Sequence, residues 1–134
     1  MGGNEPTLED GVEIAKILEK QGVDLLHVSA GIQGSELPTV PEGFPYNYIV
    51  YCGTEIKKHV NIPVIVVNDI GTPDRADYLI KNGLSDFTSI GKGLLVDPYW
   101  ANKAKEKVEI TNCIMCSKCQ WFTDGKKCPV NKLV

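Results

Sequence analysis

Ile62-Pro63-Val64-Ile65-Val66-Val67-Asn68-Asp69-Ile70-Gly71 decides how this chain is read. Four branched apolar residues follow a proline and run into a polar, glycine-ended turn. β-Branched side chains suit a pleated strand, and an unbroken apolar run is expected of a strand buried on both faces. Directly beyond it, Thr72-Pro73-Asp74 offers an N-cap, a proline at the first helical position and an early acid. A helix therefore follows the strand. Ala76, Leu79 and Ile80 are expected to face inward, and Gly83 ends the helix. Asp86-Phe87-Thr88-Ser89-Ile90 reads as the next strand, closed by Gly91.

The same order repeats upstream. Thr7 is placed to cap a helix whose first turn holds Glu9 and Asp10, where the dipole favours acids. Leu8, Val12, Ala15 and Leu18 recur at helical spacing on one side, and Gly22 stops the helix. Asp24-Leu25-Leu26-His27-Val28 has the length and apolarity of a strand, ended by Gly31 and Gly34. A loop rich in Gly and Pro runs from Ile32 to Pro45. Ile49, Cys52, Ile56 and Val60 then mark a helix face leading into the strand at Val64. At the other end, Asp97-Pro98 predicts a last helix reaching about Lys107.

Helix and strand alternate at about 30 residues per unit, which gives parallel strands joined by helical crossovers. Glycines and polar residues gather just after the strands, at Ala30-Gly31, Asn68-Asp69-Ile70-Gly71 and Gly91-Lys92-Gly93. Those are the carboxyl ends, where α/β proteins bind ligands. Three strands are too few to close a barrel of eight. The expected fold is α/β: a partial barrel of three parallel βα units over residues 1–108, followed by a cysteine-rich segment over residues 109–134.

Composition narrows the classes. With 134 residues, 43% of them hydrophobic and 23% charged, the chain is an ordinary folded domain and not a disordered tail. No apolar run approaches the roughly 18 residues of a membrane span. The opening residues lack a basic-then-apolar leader, so a cytoplasmic location is expected. A net charge of −3 argues against a nucleic-acid partner. The charge is uneven: residues 1–101 hold 7 basic and 14 acidic side chains, whereas residues 102–134 hold 7 and 3.

That basic tail also holds Cys113, Cys116, Cys119 and Cys128, in the pattern C-x2-C-x2-C-x8-C with Pro129 next. Four thiolates in one short segment suit tetrahedral coordination of a single centre, and the x2 spacing lets one tight turn aim two sulfurs at one point. The first three cysteines and the Cys-Pro pair echo bacterial ferredoxins, which favours a 4Fe-4S cluster. Zinc is the alternative, although structural zinc more often uses two separated pairs. Disulfides rank third, since nothing marks a secreted chain. Lys118, Lys126 and Lys127 either offset an anionic centre or are simply solvated. Trp121 and Phe122 are expected to pack over the site.

Taken together, these residues resemble the C-terminal third of old yellow enzyme relatives, in the branch of NADH:flavin oxidoreductases that carry an iron–sulfur cluster, such as 2,4-dienoyl-CoA reductase and enoate reductases. The likeness runs through Gly22-Val23-Asp24-Leu25-Leu26-His27-Val28-Ser29-Ala30-Gly31 and Ile62 to Ile70. It continues through Ala76 and Asp86 to Ile90-Gly91-Lys92-Gly93-Leu94-Leu95-Val96-Asp97-Pro98, and ends with the four cysteines and Val130-Asn131. The resemblance implies an FMN-binding TIM barrel, with this chain supplying strands six to eight and the cluster loop. It implies that the backbone at Asn68, Asp69 and Ile70, and at Gly91 and Lys92, holds the flavin phosphate, as exposed amides do for anions. It implies NADH as donor and an activated alkene as acceptor in the complete enzyme.

Three positions differ from the family's habit. Glycine is usual at Asn68, glycine or arginine at Asp69, and arginine at Lys92. The cysteine spacing is also shorter than in the reductases. Strands one to five, which hold most isoalloxazine contacts and the proton donor, have no counterpart here. No catalytic residue is therefore assigned, and the chain alone is expected to be inactive and to self-associate or pair with the missing barrel half. Two other functions are open: a stand-alone metal-binding or electron-transfer module without flavin, and a non-functional truncated fragment. His27, His59, Cys52 and Trp100 are read as structural, Asp69 as a turn residue before Thr72-Pro73, and Gly91-Lys92 as either phosphate-binding or loop geometry.

Overall fold

The computed structural model describes residues 6–30 and 37–130. Gly31 and Gly34, expected to end the first strand, and Asn131 lie outside the described residues. The chain divides into two compact units, Met1–Asp69 with Asp77–Ser89, and Ile70–Ala76 with Ile90–Val134. Residue 108, where composition set a boundary, falls inside the second.

The first unit is a three-stranded parallel sheet in the order β1-β2-β3 with helices between the strands. Helix α1 (Leu8–Lys20) opens with a capping box: the Asp10 amide donates to Thr7 Oγ1 at 3.2 Å, and the Thr7 amide to Asp10 Oδ2 at 2.8 Å. Strand β1 (Leu26–Val28) follows, then α2 (Tyr48–Lys57) and β2 (Val64–Val67). Helix α3 (Pro73–Lys81) leads to β3 (Phe87–Ser89). The strands are shorter than their sequence runs because pairing is confined to three or four residues of each.

Asp86 fixes the start of the central strand. Its carboxylate accepts from the Val64 amide at 2.8 Å and from Lys57 Nζ at 2.7 Å, linking α2, β2 and the entry to β3. Burial pushes this carboxyl up, but Lys57 and the Val64 amide outweigh it, so it lies below the usual range. Glu19 of α1 similarly accepts from the amides of Asn61 and Ile62, at 2.7 and 3.1 Å.

The core lies on one side of the sheet. Val64 and Val66 are fully buried, with Val50, Thr54 and Leu79 among the largest enclosed side chains. Gly53 lets α2 approach β2 closely: a Cβ there would sit 2.5 Å from Val66 Cγ1. The other side is open. Ile65 and Val67 are only half-buried, and Phe87, in register with Ile65, is 53% exposed. The expectation that Val64–Val67 is buried on both faces is thus corrected, because only one face of the sheet is covered among the described residues. Ile80, expected inward, is also exposed; of α3, only Leu79 is fully enclosed. Leu18 at 39% exposure is no core residue either, and Ala15 is the one buried position of α1.

The second unit contains α4 (Lys92–Val96), α5 (Trp100–Glu106) and two 3-10 turns, η1 (Gln120–Phe122) and η2 (Gly125–Lys127). Helix α4 was not expected from the glycines around Lys92. The last helix begins at Trp100, not at Asp97-Pro98, since the Asp97 carboxylate has other work. No described helix is long and apolar enough to cross a membrane.

Candidate functional site

The four cysteines lie in irregular backbone punctuated by tight turns. Between the first two, Met115 takes a left-handed φ of 51°, and its amide donates to Cys113 Sγ at 3.4 Å. Cys119 immediately precedes η1, and Cys128 immediately follows η2. The two turns are stitched together: the Asp124 amide donates to the Gln120 carbonyl at 2.7 Å, while Asp124 Oδ1 accepts from the Lys126 amide at 3.0 Å. All four cysteines are half-buried and none is in a disulfide.

This donor set fits a thiolate-bound metal centre in kind and number. The buried Trp121 Nε1 in the same segment, a donor with no acceptor among the described residues, fits it as well. The sulfurs are not drawn to one point: among the described residues no three His, Cys, Asp or Glu side chains form a ready site. In small thiolate modules metal binding and local ordering are coupled. Phe122, expected to pack over the site, is instead 87% exposed, while the Trp121 ring packs on Gly125.

Asp97 is a residue whose part the sequence did not reveal. It is buried, and its Oδ2 accepts from Lys103 Nζ at 2.6 Å and from the Thr111 amide at 3.0 Å, while Oδ1 accepts from the Tyr99 amide at 3.2 Å. The Lys103 hydrogen bond, then that of Thr111, holds the carboxyl below its ordinary range. Asp97 thereby fastens the lead-in to Cys113 onto α5. The sequence signal, an Asp before a Pro, indicated only a cap.

The residues matched to the flavin loops fall in both units. Asn68 and Asp69 end the first, with φ of 94° and 50°. Both are left-handed, the region in which glycine is at ease and a short polar side chain is tolerated. Its side chain is tied down: Asn68 Oδ1 accepts from Asn47 Nδ2 at 2.9 Å, and Asn47 Oδ1 caps α2 through the Ile49 and Val50 amides. The Asp69 carboxylate, by contrast, adds a charge that a phosphate would repel.

Ile70, Gly91 and Lys92 belong to the second unit. Ile70 is buried, and Trp100 Nε1 donates to the Gly71 carbonyl at 3.1 Å. Gly91 precedes the five-residue α4 without a side-chain cap. The close approach in this turn is at Gly93, where a Cβ would meet Ile90 Cγ2 at 2.9 Å.

His27 and His59 are both exposed. Cys52 is buried, and burial pushes its thiol up, which makes it a core residue and a poor nucleophile. It lines a cavity of about 130 Å³ together with Val28, Ala30, Leu37, Tyr48 and Ile56.

No family model matches the chain. In sequence it is 51% identical over 120 residues to NADH oxidase of Thermoanaerobacter brockii, which covers 87% of the chain and 18% of that protein. It is 40% identical over 116 residues to bilirubin reductase of Mediterraneibacter gnavus (strain CC55_001C), covering 83% of the chain and 18% of that protein. In structure it resembles a variant of NCR from Zymomonas mobilis, with a TM-score of 0.58 at 20% identity, over 84% of this chain and 34% of that one. The last likeness is one of fold. The chain spans about 18% of the length of these two curated relatives. In sequence the chain is thus similar to one part of an NADH oxidase and of a bilirubin reductase, and in fold to the NCR variant.

Proposed function

We propose that the chain is the C-terminal portion of an NADH-dependent flavin oxidoreductase: strands six to eight of its barrel, the loops that hold its FMN phosphate, and the loop for a 4Fe-4S cluster. The observation that carries this reading is the 51% identity over 120 residues to an NADH oxidase, a stretch nearly as long as the chain. The four free thiols and the glycine-type backbone at Asn68 support it independently.

Each residue has a stated part. Cys113, Cys116, Cys119 and Cys128 ligate the cluster. The amides around Asn68, Asp69 and Ile70, with Gly91 and the Lys92 ammonium, hold the flavin phosphate by hydrogen bonds and charge. Asp97 keeps the cysteine segment fastened to α5. When bound, the cluster passes electrons singly and the flavin delivers them in pairs, as hydride, to an activated alkene. None of the 134 residues is assigned as the proton donor for that reaction, and the chain by itself is expected to reduce no alkene.

The visible spectrum of the chain purified without oxygen tests the reading. A broad brown absorbance bleached by dithionite, with iron and sulfide bound, is expected. A colourless chain that holds one zinc would remove electron relay from the proposal. A chain that takes up neither metal would overturn the assignment of the cysteines, and reduction of an enoate by the chain alone would overturn its inactivity.

A further inference from the structure

We propose that the indole N–H of Trp121 donates a hydrogen bond to a thiolate sulfur of the loaded four-cysteine centre, making Trp121 a positioning residue for that centre. The inference rests on the assignment of Cys113, Cys116, Cys119 and Cys128 as ligands.

An indole nitrogen only donates, and buried donors in folded proteins nearly always have an acceptor. The two tryptophans of this chain differ in this respect. Trp100 Nε1 reaches the Gly71 carbonyl at 3.1 Å. Trp121 Nε1 is closed to solvent and has no acceptor among the described residues. The ring is held in place. A Cβ on Gly125 would lie 2.7 Å from both Cε3 and Cζ3 of Trp121, so the six-membered ring rests on the Gly125 backbone. Trp121 belongs to η1 and Gly125 to η2, the two turns flanked by Cys119 and Cys128. The orphan donor is thus fixed in the part of the segment from which two ligands arise.

The acceptors this segment lacks now, it gains on loading. Metal-bound thiolates carry negative charge and accept hydrogen bonds, and donors to them orient the ligands and tune the centre. Asp124 does not fill this role here: its Oδ1 accepts from the Lys126 amide, and Trp121 Nε1 is left without a partner among the described residues.

The test uses the full chain labelled with 15N, titrated with zinc ion alone under anaerobic conditions. Two indole N–H signals are expected, and Trp121→Phe identifies which belongs to residue 121. On zinc uptake the Trp121 signal is expected to move downfield and exchange more slowly with solvent, while the Trp100 signal stays. Trp121→Phe removes the donor together with part of the indole ring, and it is expected to bind zinc about 10-fold more weakly. Zinc bound by the four thiols with the Trp121 signal unmoved would overturn this inference alone. No zinc uptake by the wild-type chain would overturn the ligand assignment beneath it. The wild-type signal decides the matter even where the variant folds poorly.

Discussion

Gly53 shows how little room the core allows at the level of single atoms. It sits in α2 over Val66, and a methyl group there would overlap Val66 Cγ1 at 2.5 Å. Val66 belongs to the central strand and is fully buried, so it has no solvent space to move into. Helix α2 must therefore lift or Val66 must leave its rotamer. Overpacking of this kind costs about 1–3 kcal/mol. Gly53→Ala is expected to lower the urea midpoint of unfolding accordingly, despite alanine's better helix propensity. An unchanged midpoint would mean that α2 does not pack on β2 as described. Asn68 is a different case at the same scale. The resemblance leads to an expectation of glycine there, and the φ of 94° is one that glycine adopts freely. Asparagine meets the same requirement at some cost, because its short polar side chain tolerates left-handed backbone and bonds Asn47.

At the scale of elements, the boundaries that caps announce were readable and those set by tertiary contact were not. Thr7 and Asp10 close a capping box where the sequence places one, and the three strands fall inside their predicted runs. Helix α4 escaped notice because two glycines flank Lys92 and hide a turn that packing holds. Helix α5 starts at Trp100, while Asp97 Oδ1 keeps a local bond to the Tyr99 amide and Oδ2 takes Lys103 and Thr111, 14 residues on. The candidate cysteines stand out by spacing, although the described residues do not gather them at one point, whereas the Asp97 fastening depends on a long-range contact that no local pattern encodes. This fastening has a pH signature. The folded carboxyl of Asp97 lies below its ordinary value, so its contribution is complete above the usual carboxylate range and is lost as pH falls through the folded value. Asp97→Asn is expected to melt below the wild type at neutral pH, with the gap closing below about pH 4. Trypsin should also cut the variant faster at Lys105 and Lys107. Melting curves that stay parallel across that range would show that the carboxylate is not what holds Thr111.

Across the whole molecule, the first unit's sheet is finished on one side only. His27, Ile65 and Phe87 stand in one register row, and that row is exposed at His27 and Phe87 and half-buried at Ile65. Leu25, two residues before His27, is 41% exposed as well. Strands β1 and β3 are both edges of the sheet. Contiguous apolar surface and free strand edges both favour association. In a closed barrel this row would point to the interior, which accounts for the branched apolar residue at Ile65 and the aromatic at Phe87. We propose that the remaining strands of the barrel cover it, and that the chain by itself covers it by self-association. Sedimentation of the purified chain is therefore expected to give a mass above the 14.7 kDa monomer, rising with concentration. Phe87→Ser should shift the distribution toward monomer without lowering the melting temperature appreciably, since that side chain is more than half in solvent. Co-expression with the rest of a relative's barrel should suppress self-association, because both partners compete for the same face. A wild-type chain that stays monomeric at every concentration, and that the added barrel strands leave unbound, would mean that the row is an ordinary wet surface and that the barrel reading of this sheet is wrong.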